Sequence, residues 1–216
     1  MTSPAVQPDD AFRLVARLER YRGQVADLLA VLDFTAVSAT ASALRSARER
    51  GATVYIAGNG GSATTASHMV TDLMFGRGLP EPGLRAIGLT DNQAVITATA
   101  NDVSYDEVFA RQLRRLARPG DVLILISASG NSPNVVRAAE VARELDVIVI
   151  GLTGFDGGRL AGLSDVSVHV PSPPDAYGPV EDVHLIVNHM LVAALASAEP
   201  DPSGTGQPDA EGRHSG

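Results

Sequence analysis

The side chains of this chain best suited to chemistry sit in two carboxylate–histidine pairs. In His68-Met-Val-Thr-Asp72 the imidazole and the carboxylate are four residues apart, so a helix puts them on one face. Glu181 and His189 are eight apart, with Leu185 between them, and face roughly the same way on a second helix. Two histidines with two carboxylates can move protons at neutral pH. They are also a donor set for zinc or another divalent cation. A lone His/Asp pair at this spacing is more often a hydrogen-bonded surface pair. Its place, one turn into a helix that comes after a glycine loop, favours a site.

That loop is Gly58-Asn59-Gly60-Gly61-Ser62. Val54-Tyr55-Ile56-Ala57 runs into it as a buried strand, and an alanine-containing helical segment leaves it. Glycines let the backbone approach a ligand, and a helix start offers free N–H groups with a partial positive charge, which suits phosphate. Asp121-Val-Leu-Ile-Leu-Ile126 followed by Ser127-Ala-Ser-Gly-Asn-Ser132 repeats the arrangement with three hydroxyls. Two such loops after two strands of one sheet place an anionic ligand across the strand ends.

The elements that must position these residues are read from periodicity and punctuation. Strands are expected at 53–57, 85–89, 121–126, 147–152 and 166–170, and helices near 62–75, 92–100, 105–117, 131–145 and 180–198. The alternation predicts an α/β, three-layer doubly wound sandwich around a five-stranded, mostly parallel sheet. Two N-terminal helices precede it. Phe12, Val15, Leu18, Val25, Leu28, Leu29 and Leu32 form one apolar face of the first. The second, capped by Asp33 or Thr35, stops at Gly51. This hairpin, residues 11–50, suits contact with another subunit, although packing on its own sheet is equally allowed. Residues 1–10 read as a flexible N-terminus and 199–216 as a disordered tail rich in Pro, Gly, Ser and Asp, which leaves 11–198 as a single domain.

Composition narrows the partners. A net charge of −8 argues against nucleic acid as the main ligand. The chain has no cysteine, which excludes disulfides and thiolate metal sites. All 17 basic residues are arginine, so neither a Schiff-base lysine nor a Walker-type phosphate lysine is available. With no cationic-then-apolar leader and no apolar run approaching about 18 residues, a cytoplasmic protein without a membrane segment is expected.

The two loops, together with Ala100-Asn101-Asp102, Leu152-Thr-Gly-Phe-Asp-Gly-Gly158 and Val170-Pro171, resemble the sugar isomerase (SIS) domain family, and within it the phosphoheptose isomerase branch. The resemblance runs over about residues 10–198. It implies the SIS fold and a phosphosugar aldose–ketose isomerase with no nucleotide cofactor. The implied reaction takes sedoheptulose 7-phosphate to D-glycero-D-manno-heptose 7-phosphate through an enediol. It also implies a homo-oligomer, typically a tetramer with sites shared between subunits.

By the same resemblance Asn59, Gly60, Ser62, Asp102, Ser127, Ser129, Ser132 and Glu181 bind the substrate. Asp72 is the base and His189 its acid partner. His68, Asp72, Glu181 and His189 stand at the four positions that hold zinc in some members. The chain departs from the family pattern at Asp72 (glutamate in the family), Glu181 (glutamine) and Ala128 (threonine). Gly76-Arg77 also sits one residue late, and the loop before Glu181 is one residue longer. His184 reads as a partner for Glu181, and His169 as a sheet or subunit-contact residue.

Two other functions fit parts of the chain. A non-catalytic phosphosugar-binding or protein-interaction SIS module would need the loops alone, and the carboxylate–histidine set argues against it. A dinucleotide-binding dehydrogenase would use Gly58-Asn-Gly-Gly-Ser-Ala63, but Asp91 lies 33 residues beyond Gly58 rather than about 20, and the serine loop would be idle.

Overall fold

Residues 122–127 are apolar up to the closing serine, and such a strand is stable only with both faces covered. In the structure, a computed structural model that describes residues 8–196, Val122–Ser127 (β3) is the centre of the sheet. The other strands are β1 (Thr53–Gly58), β2 (Arg85–Gly88), β4 (Ile148–Thr153) and β5 (Val166–His169). They lie in the order β2-β1-β3-β4-β5, and every pair is parallel.

Alternation along the strands divides the core into two layers. Val54, Ile56, Ile124, Ile126 and Leu152 pack with α2 (Phe34–Arg50), α3 (Gly61–Phe75) and α8 (Tyr177–Leu195). Tyr55, Ala57, Leu123, Leu125 and Val149 pack on the other side with α5 (Ala110–Leu116), α6 (Pro133–Glu144) and α7 (Gly158–Leu163). Partly buried Ile96 and Ala100 bring α4 (Gln93–Asp102) into this second layer.

The N-terminal hairpin divides its labour. α2 is capped by Asp33, whose Oδ1 accepts from the Thr35 N–H at 2.8 Å, and it ends at Gly51 in the left-handed region. It buries Val37, Ala41, Leu44 and Ala47 in its own domain, the second of the two uses its pattern allowed. α1 (Pro8–Ala30) begins inside the segment read as flexible, with proline in the first turn. Its C-terminal half joins the core through Leu28, but Phe12, Val15 and Leu18 are 77%, 53% and 70% exposed. The tail at 199–216 lies outside the described residues.

Two local expectations fail for tertiary reasons. The helix expected over 105–117 is split into a 3-10 turn at Tyr105–Glu107 and α5. Glu107 is held by Arg137 at 2.9 Å and Arg114 at 2.8 Å, and the next two residues, Val108 and Phe109, turn into the core. The short helix α7 was not among the elements read from periodicity. It forms because Leu160 is buried and its N–H donates to the Gly130 carbonyl at 2.9 Å.

His184 on α8 is fully buried. Its Nε2–H donates to the Thr153 carbonyl at 3.3 Å, so it is not the partner of Glu181. His169, at the end of β5, pairs with the Thr153 hydroxyl at 3.1 Å, as a sheet residue would. Burial pushes the His184 imidazole from 6.5 down to about 4, against the opposing effect of the Thr153 bond. Between these values the unfolded chain binds a proton that the folded chain does not. The contribution of His184 to stability is therefore fully present above about 6.5 and is lost as pH drops toward 4. Urea denaturation followed by circular dichroism should show that His184→Gln loses less stability than wild type between pH 7 and 5. Equal losses would remove His184 as the cause.

Candidate active site

In a doubly wound sheet the ligand crevice lies at the carboxyl ends of the strands where the winding reverses, here between β1 and β3. Asn59 and Ser62 follow β1, and Ser127, Ala128, Ser129 and Ser132 end or follow β3. With Ile126, and with Tyr177 and Glu181 from α8, they line one cavity of ≈ 130 Å³. Gly60, with φ 55°, caps α3 in a conformation that L side chains rarely adopt. The strand ends are tightly apposed: a side chain on Gly58 would meet the Ile126 carbonyl at 2.8 Å. Ser62 lies in the first turn of α3, and Ser132 is the residue before α6, so two helices begin at this cavity. Among the described residues, no arginine lines it.

The loops are pre-ordered. The Gly130 N–H donates to Ser127 Oγ at 3.2 Å and the Asn131 N–H to Ser129 Oγ at 3.3 Å. Asn131 ties the Ser129 carbonyl to the Arg159 N–H, each at 3.0 Å, which docks the glycine turn before α7 beneath the serine loop. Asn59 and Asn134 exchange amide hydrogen bonds of 2.9 and 2.8 Å, and the Tyr105 hydroxyl donates to Asn59 Oδ1 at 3.0 Å. Sequence reasoning missed Asn134 and Tyr105. The first resembles an ordinary first-turn helix asparagine, and its partner is 75 residues away.

The second half of the site lies further along α3 and α8. His68 Nε2 is 3.3 Å and His189 Nε2 3.7 Å from Asp72 Oδ2, and the two imidazole nitrogens are 3.5 Å apart. Ligands at about 2.0–2.1 Å in tetrahedral geometry around zinc are about 3.3 Å from one another, so these three atoms fit one divalent ion with a position left open. Asn188, absent from the predicted site, donates from Nδ2 to Asp72 Oδ2 at 2.6 Å.

Two predicted residues do not join their expected groups. Glu181 is not in the His68–Asp72–His189 group, because eight residues of helix separate it from His189 by about 12 Å. Its carboxyl lies instead against Gly61, where any side chain would collide with it. Asp102, expected at the sugar, lines a separate cavity of ≈ 600 Å³ beside β2 with Arg111 and Arg115. It accepts a hydrogen bond from Asn101 at 2.9 Å.

The fold is that of a sugar isomerase domain. The SIS domain family model matches residues 20–154, and the chain belongs to that family. It is similar to the phosphoheptose isomerase of Alteromonas mediterranea, 44% identical over 147 residues that cover 68% of this chain and 74% of that protein. The same enzyme of Shewanella loihica is 46% identical over 141 residues, 64% of this chain and 71% of that one. Among solved structures, a phosphoheptose isomerase from Francisella tularensis superposes with a TM-score of 0.78 at 31% identity, covering 86% of this chain and 97% of that one. One from Neisseria gonorrhoeae gives 0.77 with the same identity and coverage.

A phosphate in the serine cavity would face Glu181, and its binding would then depend on pH. Desolvation by burial, and secondarily Asp182, raise its carboxyl above the usual glutamate range. Once ionised, it opposes an anion in the serine cavity; protonated, it does not. Phosphate affinity should therefore fall as pH rises through this raised value. Glu181→Gln should remove that component and bind about tenfold tighter at pH 8, the scale of one screened like-charge contact. Calorimetric titration of both proteins with phosphate, from pH 5 to 8, measures it. Parallel curves would show that Glu181 does not face the anion.

Proposed function

We propose that the chain interconverts sedoheptulose 7-phosphate and the corresponding aldoheptose 7-phosphate, with phosphate in the serine cavity and proton transfer at Asp72 and His189. It is an isomerase, an intramolecular oxidoreductase, of the type its relatives are named for. The separation between the two halves of the site carries the substrate assignment. From Gly61 to His68, and from Glu181 to His189, the helices rise about 10–12 Å. A phosphorylated seven-carbon chain with bonds of about 1.5 Å spans about 10 Å from phosphorus to its first two carbons. Phosphate held by Ser62, Ser127, Ser129 and Ser132 thus brings C1 and C2 to the carboxylate–histidine group.

Asp72 removes the C–H proton beside the carbonyl, and His189 moves the proton on the adjacent oxygens as the enediol forms and collapses. Asn59, fixed by Asn134 and Tyr105, has one amide hydrogen without an acceptor among the described residues, available to a sugar hydroxyl. His68, Asp72 and His189 would hold zinc or another divalent cation, which when bound supplies polarisation of the sugar carbonyl. The exposed apolar face at Phe12, Val15 and Leu18 supports assembly into a homo-oligomer, with the family's tetramer the expected size. No single described helix is long and apolar enough to cross a membrane. We take the cytoplasm as the compartment.

Incubation with sedoheptulose 7-phosphate, followed by NMR, tests the reaction. Asp72→Asn keeps the shape but removes the base, so turnover should fall at least ~100-fold while calorimetric substrate affinity is kept. Wild-type-like turnover in that variant would place the base elsewhere, and no turnover by wild type would leave a binding module. Zinc titrated into the protein should bind with one-to-one stoichiometry and lose at least ~10-fold in affinity in His68→Ala or His189→Ala. Unaltered binding would put the ion outside this group.

A further inference from the structure

Asn188 is fully buried on α8, beside core residues Val187 and Leu191. A position of that kind ordinarily holds an apolar side chain. Its Nδ2 donates to Asp72 Oδ2 at 2.6 Å, across 116 residues of sequence. Its Oδ1 is buried with no hydrogen-bond partner among the described residues. A buried acceptor without a partner costs stability that an aliphatic residue would not cost. The amide cannot be reversed to relieve this, because its carbonyl would then face a carboxylate oxygen. The Asn188 amide is therefore oriented by Asp72, and stability alone does not account for it.

The effect falls on one oxygen of the carboxylate. Asp72 Oδ2 receives the Asn188 donor and is also the oxygen closest to His68 and His189, at 3.3 and 3.7 Å. Among the described residues, no hydrogen bond or close ion pair engages Asp72 Oδ1. An aspartate has a single torsion beyond Cβ, so fixing Oδ2 fixes where Oδ1 points. The rest of the cluster cannot do this as well, since the His68 and His189 side chains are 44% and 55% exposed and Asn188 is rigidly enclosed.

We propose that Asn188 is a positioning residue for the isomerisation: its buried amide holds Asp72 Oδ2 toward the two histidines and so presents Asp72 Oδ1 to the substrate C–H. The inference rests on the reading of Asp72 as the base. A general base must lie within hydrogen-bond reach of the proton it takes, and a short acid has little reach to recover if its carboxylate turns.

The test is a double-mutant cycle on sedoheptulose 7-phosphate turnover, with Asn188→Leu in the wild-type and Asp72→Glu backgrounds. Asn188→Leu should lower kcat at least tenfold with KM changed less than twofold, while the thermal midpoint stays at or above that of wild type. In the Asp72→Glu background, where the longer acid carries its carboxylate past the Asn188 donor, the same substitution should lower kcat less than threefold. Asn188→Ser, a smaller side chain that keeps a donor, should recover part of the loss and serves if leucine does not fold. Unchanged kcat in Asn188→Leu, or an equal loss in both backgrounds, would overturn the proposal. Failure of the Asp72 reading is seen separately, as retained turnover in Asp72→Asn.

Discussion

Close approach of α3 and α8 is the constraint on which both halves of the site depend. The helices run side by side in the same direction: Gly61 lies against Glu181, Asp72 against Asn188 and His189, and Gly76 against Val192. Glycine at both ends of α3 lets the axes come together, since a side chain at residue 76 would press on Val192 Cγ1 at 2.9 Å. Between those ends Ala66, Met69 and Leu73 of one helix share a core with Val180, Val183, Val187 and Leu191 of the other. At about 1.5–3 kcal/mol for each large aliphatic side chain, this burial far exceeds what the polar cluster at its rim contributes or costs. The hydrophobic seam therefore sets the distance, and the histidines and carboxylate meet because the seam is narrow.

The serine cavity presents local dipoles rather than cationic side chains. The chain is acidic overall, and Arg114, Arg137 and Arg159 near the second layer are tied into pairs. Arg137 reaches Glu107 and Glu140, and Arg159 reaches Glu140. Such partly exposed pairs add little stability individually. Their structural consequence is to hold the 3-10 turn that carries Tyr105, and through it Asn59. The cavity offers hydroxyls and two helix starts instead, which are strong donors at short range and negligible beyond it. A carboxyl at the same cavity then has a large say in what charge the cavity accepts.

Strand order decides against the dinucleotide reading. The order β2-β1-β3-β4-β5 is the five-stranded doubly wound pattern, with a crevice between β1 and β3, and not the 3-2-1-4-5-6 order of the dinucleotide fold. Asp91, the acid that reading would assign to a ribose, is engaged locally by Ser67 and Thr90. The glycine loop after β1 is common to both architectures. The segment after β3 separates them, because the serine loop occupies the other side of the same crevice.

Most of what repeats along the chain was legible in the sequence. The five strands, the alternation with helices, both glycine–serine loops and the helical spacing of His68 and Asp72 are local patterns of period two or 3.6, and local patterns need no partner to be read. Membership of the family was legible for the same reason, since its motifs are contiguous. Tertiary structure decided what depends on distance between segments. It set Asp102 beside another cavity, buried His184 against Thr153, and brought Asn134 to Asn59 and Asn188 to Asp72. None of these has a spacing that a sequence pattern could carry, because each joins elements whose separation is fixed only when the sheet and the α3–α8 seam are packed.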